Sequence, residues 1–95
     1  MILFNLFMTT NQNYEEWIIN WFIENTDVNS TKIKNNLNEN YLGKGWIDSF
    51  KFISFITEIE DYFKLKFSND EFQNRKFATI HGLVEILRNK TNGTE

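Results

Sequence analysis

A chain of 95 residues with 41% hydrophobic content holds material for one small core, so a single domain is expected. Its formal charge of −3 leaves no basic stripe along which a phosphate backbone could run, which speaks against a nucleic-acid binder and for basic proteins as partners. With no cysteine, neither a disulfide framework nor a thiolate zinc site can form, and any thiol chemistry has to arrive on a prosthetic group.

The opening Met1-Ile2-Leu3-Phe4-Asn5-Leu6-Phe7-Met8 is apolar. It has no basic leader and no small-residue cleavage site, and it is far too short to span a bilayer. Residues 1–11 are therefore read as an extension ahead of the domain, able to pair with a hydrophobic surface, in a cytoplasmic protein without stable membrane insertion. Tyr14, Trp17, Ile18, Trp21 and Phe22 recur at the spacing of one helix face and predict a first helix over about 12–25, with Asn13 and Glu16 as a capping pair at its start. Residues 26–45 are polar, with scattered apolar anchors at Val28, Ile33, Leu37, Tyr41 and Leu42. So long a connection predicts a short turn of helix within it. It also lets two helices lie in an arrangement that a tight turn forbids. Glycosylation-like triplets at Asn29, Asn89 and Asn92 reflect the abundance of Asn rather than secretion.

The second helix is expected from Asp48 to about Lys64. At roughly 100° per residue, Phe52, Phe55, Ile56, Ile59, Tyr62 and Phe63 share one broad face, the core side, while Phe50, Ile53, Thr57 and Glu60 fall opposite. Two apolar residues, Phe50 and Ile53, are thus left pointing to solvent, as in a docking surface for other proteins. The competing reading folds the 41–47 loop over Phe50. Further on, Ser68-Asn69-Asp70-Glu71 reads as a capping box before a brief third helix near 69–74. Thr79 caps a last helix that carries Ile80, Leu83, Val84 and Leu87 at helical spacing. Phe67, Phe72 and Phe77 punctuate the connections and plug the ends of the bundle. Nothing reads as a strand pair.

The chemistry concentrates in Gly45-Trp46-Ile47-Asp48-Ser49-Phe50. An Asp just before a helix can accept a hydrogen bond from free backbone N–H groups. Ser49 then lies in the first turn, where unpaired amides and the positive end of the peptide dipoles favour an attached or approaching phosphate. A serine hydrolase needs a base and an oxyanion site; the chain offers one histidine, His81, and no G-x-S-x-G turn, so no catalytic residue is expected. Gly43-Lys44-Gly45 lacks the spacing of a P-loop. Glu58, Glu60 and Asp61 read as a solvated helix end and not as a metal site.

These residues resemble those of the phosphopantetheine-binding carrier proteins, the family of acyl and peptidyl carrier proteins. The likeness covers about residues 13–90. Its core is the family's G-x-D-S-L type signature, met here as Gly45-Trp46-Ile47-Asp48-Ser49-Phe50, with support from Glu58-Ile59-Glu60-Asp61-Tyr62-Phe63 and from Phe77-Ala78-Thr79-Ile80. The resemblance implies an all-α four-helix bundle, acyl-carrier-protein-like, with a long loop between the first two helices and a short third helix. The carrier domain would span residues 12–90, followed by a tail at 91–95.

The resemblance also implies that Ser49 bears 4'-phosphopantetheine, joined from coenzyme A by a phosphopantetheinyl transferase, with Asp48 as the acid beside the modified serine. Phe50, Ile53, Thr57 and Glu60 would be partner-recognition positions. The protein would be a monomer that catalyses nothing itself and carries acyl, aminoacyl or peptidyl thioesters between loading, elongating or modifying enzymes of ligase, adenylation, ketosynthase or thioesterase type. An extra residue separates Gly45 from Asp48, Phe replaces the usual Leu after Ser49, and Lys51 follows. The extra residue gives a G-x-x-D-S form similar to that of discrete carriers for amino acids or for secondary metabolites (polyketide or nonribosomal peptide type). A fatty-acid-synthesis carrier is the alternative, and an unmodified helical interaction module the one after it.

Overall fold

The structure, a computed structural model, describes the backbone of residues 2–92 and the side chains of residues 14–91. Helices account for the architecture: α1 (Ile2–Asn25), α2 (Ser30–Lys34), α3 (Ser49–Phe63), α4 (Asn69–Phe72) and α5 (Ile80–Asn92), with a 3-10 turn at Arg75–Ala78 ahead of α5. Among the described residues the sole β pairing is one antiparallel bridge between Asn40 and Thr79. The expected all-α class is therefore met, with five helices and the short α2 inside the long connection.

The first helix starts earlier than expected. α1 begins at Ile2, so Asn13 lies within it and does not cap it. No Gly or Pro interrupts the first 25 residues, and nothing local ends a helix there. Its 24 residues, at about 1.5 Å each, give about 36 Å and account for most of the molecule's 40 Å long dimension. The side chains of the expected extension, residues 1–11, fall outside the described residues. The expected tail at 91–95 overlaps the end of α5, and residues 93–95 lie outside the description.

The core forms where α1, α3, α5 and the long connection meet. Phe22, Tyr41 and Phe55 are fully buried and touch pairwise, with ring centroids 5.4 Å (Phe22–Tyr41), 5.2 Å (Phe22–Phe55) and 5.9 Å (Tyr41–Phe55) apart. Ile18, Ile33, Ile59, Leu83 and Leu87 complete it. The anchors Ile33 and Tyr41 of the connection are thus deep in the core, whereas Leu42 is largely exposed.

Tyr41 does more than fill space. Its hydroxyl donates to the Phe77 carbonyl and its amide to the Ala78 carbonyl at 3.1 Å, which pins the connection to the 3-10 turn. Burial pushes the hydroxyl's pKa well above its ordinary range, so it stays a donor. The turn in turn rests on α5 through Gly82, where an added Cβ would sit 2.2 Å from the Lys76 carbonyl oxygen.

Local signals behave as the sequence implies at two caps. Ser68 and Glu71 form the reciprocal capping box of α4, and the Thr79 hydroxyl accepts the Gly82 amide at 2.9 Å at the head of α5. α4 is shorter than the expected 69–74, because the chain tightens into the 3-10 turn a few residues later. Two aromatic positions differ. Tyr62, expected on the core face, is 56% exposed. It lies on the flank of the apolar stripe in the last turn of α3, leaning on Trp17 and Phe63 with ring centroids 5.4 and 4.9 Å away. Phe72 is also largely exposed, although its ring stacks with those of Phe67 and Phe77 at the end of the bundle.

Two stability measurements follow. Tyr41→Phe leaves the Phe77 carbonyl without its buried donor and is expected to cost about 1–3 kcal/mol in urea denaturation; an unchanged midpoint would deny the hydroxyl a structural share. At Glu71, burial acts to raise the carboxyl's pKa, but hydrogen bonds from the Ser68 amide and the Lys90 ammonium outweigh it and hold the group below the ordinary Glu range. A depressed folded pKa contributes stability above the unfolded value and loses it as pH falls through the folded one. Glu71→Gln is therefore expected to lower stability at neutral pH and to flatten the loss below about pH 4, read by acid titration of the helical signal.

Candidate functional site at the head of α3

Tyr41 leaves the core and the chain turns sharply. The Asn40 side-chain oxygen accepts the Leu42 and Gly43 amides, each at 2.9 Å. The Lys44 amide donates to the Asn40 carbonyl at 2.8 Å and the Trp46 amide to the Tyr41 carbonyl at 3.0 Å. Closing this turn places Gly45 at φ +75°, a backbone region that strains any residue with a Cβ. Trp46 and Ile47 then bury their side chains, so the chain emerges from the core at Asp48.

Asp48 stands in extended conformation as the N-cap of α3, and its carboxylate accepts the Lys51 amide at 2.8 Å. Ser49 is the first residue of the helix and is exposed. Helix geometry leaves the Ser49 and Phe50 amides without an intrahelical acceptor. The positive end of the peptide dipoles points to the same spot, so an anion carried on the Ser49 oxygen is favoured there. No hydrogen bond engages the Ser49 hydroxyl among the described residues. His81 lies exposed on α5, where its backbone amide donates to the Leu37 carbonyl.

Along the helix, Phe50 is 83% exposed and Ile53 64% exposed, so the 41–47 loop does not fold over them. Thr57 is exposed on the same side. Glu60 departs from this set: it is half-buried and accepts the Phe67 amide at 2.9 Å, which ties the end of α3 to the link before α4. Beside Ile53 a groove of about 360 Å³ runs towards α4, walled by Phe52, Ile56, Thr57 and Phe72 together with the charged Glu60 and Lys66.

Lys51 has a role the sequence reading did not find. Its ammonium donates to the Asn25 carbonyl at 2.6 Å and so fastens the first turn of α3 to the last turn of α1. The signal available was a cation in the first turn of a helix, where the dipole disfavours it. Between the two helix ends lies an open cleft of about 490 Å³, lined by Glu24, Asp27, Gly45, Ile47 and Asp48 among others. The Trp21 indole donates to Glu58 at 3.1 Å, a second polar tie between α1 and α3.

Comparison of the chain with protein-family models, with curated proteins and with solved structures found no match in any of the three. Among the described residues no helix is long and apolar enough to cross a membrane, and no group of three or more His, Cys, Asp or Glu could hold a metal ion.

Asp48→Ala is expected to cost about 1 kcal/mol through loss of the cap. By contrast, Phe50→Glu or Ile53→Glu should leave stability within about 0.5 kcal/mol, because neither side chain contributes to the core. Urea denaturation of the three variants checks both statements, and a large loss at Phe50 or Ile53 would mean that this face is covered.

Proposed function

We propose that the chain is a discrete carrier protein whose Ser49 bears 4'-phosphopantetheine. One observation carries the reading: an exposed serine occupies the first position of a 15-residue helix, behind an Asp cap and beside two exposed apolar side chains. The residues present fit the group. Ser49 is exposed, and the adjoining amides of Ser49 and Phe50 suit a phosphodiester anion.

Attachment forms a bond from the Ser49 oxygen to the phosphorus of coenzyme A that carries the pantetheine, and it breaks that phosphorus's bond to the adenosine 3',5'-bisphosphate leaving group. The hydroxyl proton passes to a base of the transferase. Once bound, the group supplies a terminal thiol that holds acyl, aminoacyl or peptidyl cargo as thioesters. The chain's own residues hold and present: Asp48 fixes the head of α3, Lys51 fastens it to α1, and Phe50, Ile53 and Thr57 face the partner. In this reading the protein catalyses nothing, and α1, α3, α4 with its 3-10 turn, and α5 correspond to the four helices of a carrier bundle. The sparse acidity of α3 near Ser49 favours a secondary-metabolite pathway over fatty-acid synthesis, and the cytoplasm is the expected location.

Incubation with a broad-specificity phosphopantetheinyl transferase, magnesium and coenzyme A tests the proposal by intact mass. The protein is expected to gain one phosphopantetheine, and Ser49→Ala to gain none. A wild-type protein that stays bare would favour an unmodified interaction module, for which Phe50 and Ile53 are the binding patch.

A further inference from the structure

The first turn of α3 overhangs the core. Between Ile47 and Phe55 no side chain is buried, and Phe52 alone is half-buried. Packing therefore does little to fix Ser49, and polar ties carry the task. The Asp48 carboxylate accepts the Lys51 amide, which stiffens the turn without joining it to anything else. The Lys51 ammonium reaches another element, the Asn25 carbonyl at the end of α1, 26 residues back along the chain.

The stability of α3 does not explain a lysine there. The positive end of that helix's dipoles disfavours a cation in the first turn, whereas the negative end of α1 favours one. The last carbonyls of α1 lack intrahelical donors. Those of Trp21 and Phe22 are met by the side chains of Asn25 and Thr26, and that of Asn25 by Lys51. Lys51 also shares the open cleft between the two helix ends with three carboxylates, those of Glu24, Asp27 and Asp48. The attractions on the ammonium thus come from the α1 side, while its backbone belongs to α3. Their effect is to draw the turn that carries Ser49 against the end of α1.

We propose that Lys51 is a positioning residue for the modification of Ser49: its hold on the Asn25 carbonyl fixes the direction in which the serine hydroxyl is presented to the transferase. This role presupposes Ser49 as the modified residue. Attack on the phosphorus of coenzyme A requires the serine oxygen in line with the bond that breaks, and a misplacement of about 1 Å can slow such a step as much as about 10²-fold. A turn released from α1 rocks about Asp48 and meets that geometry less often. The loss then falls on kcat, because the lysine itself touches neither the coenzyme nor the reacting atoms.

Lys51→Met keeps the length of the stem and removes the donor and the charge, and Lys51→Arg restores both. With the phosphopantetheinyl transferase, magnesium and saturating coenzyme A, initial rates are read by intact mass over a range of carrier concentrations. Lys51→Met is expected to lower kcat about tenfold with KM for the carrier within about twofold, and Lys51→Arg to recover most of the rate. Amide hydrogen exchange supplies a readout that needs no transferase: in Lys51→Met the amide of residue 51 should exchange about tenfold faster, with that of Phe55 unchanged. A wild-type protein that gains no mass overturns the carrier reading and this role together. If the wild type is modified, three results overturn the positioning role alone: a Lys51→Met protein as fast as wild type, exchange at residue 51 that does not change, or exchange that quickens at Phe55 as well, which marks a general loss of stability. A loss confined to KM and erased by salt overturns it too, since the ammonium would then be touching the transferase directly.

Discussion

The double attachment of Tyr41 to the 3-10 turn is the constraint on which the rest depends. A connection of more than twenty residues between α1 and α3 has no regular ladder to hold it, and the ordering of so much backbone is entropically costly. Tyr41 offsets that cost at one point by filling the centre of the core with its ring and satisfying two carbonyls, those of Phe77 and Ala78, with its hydroxyl and amide. Once this residue is placed, only the turn at 42–45 and the two buried residues Trp46 and Ile47 separate the core from Asp48. The head of α3 is therefore located by the core, not by the loop's own preferences.

The same logic explains why an exposed site can be well defined. Ser49 and Phe50 themselves contribute almost nothing to packing, yet they follow an N-cap, and that N-cap follows a buried pair. Lys51 adds a tie to the tail of α1 on the other side. A single exposed hydrogen bond from an ammonium to a backbone carbonyl contributes only modestly. Here it acts together with the Asp48 cap on a single helical turn, and the outcome is a serine and an apolar ring presented at the surface on a stiff mount. Such a mount suits a residue that other proteins must find.

Much of this was legible in the sequence where the responsible interactions are local. The helical period separated Phe55, Ile56 and Ile59 from Phe50 and Ile53 because burial on a helix follows angle. The caps at Asp48, Ser68 and Thr79 could be read because each depends on a side chain and an amide three residues apart. What escaped depends on distant partners or on where an element stops. Tyr62 lies at an angle that permits burial, but the helix ends one residue later and its neighbours cover only one side of the ring. Glu60 looked solvent-facing until the returning chain brought the Phe67 amide to it. Lys51 found the Asn25 carbonyl 26 residues back along the chain, and the start of α1 carries no punctuation.

Gly82 makes this architecture vulnerable from a distance. Its missing side chain lets the Lys76 carbonyl press directly onto α5, within 2.2 Å of where a methyl group would be. The same short stretch offers the carbonyls from which Tyr41 hangs. A change as small as alanine at this position, 33 residues further along the chain than the serine, would force the stretch off its seat and disturb the carbonyls that hold the tyrosine in the core.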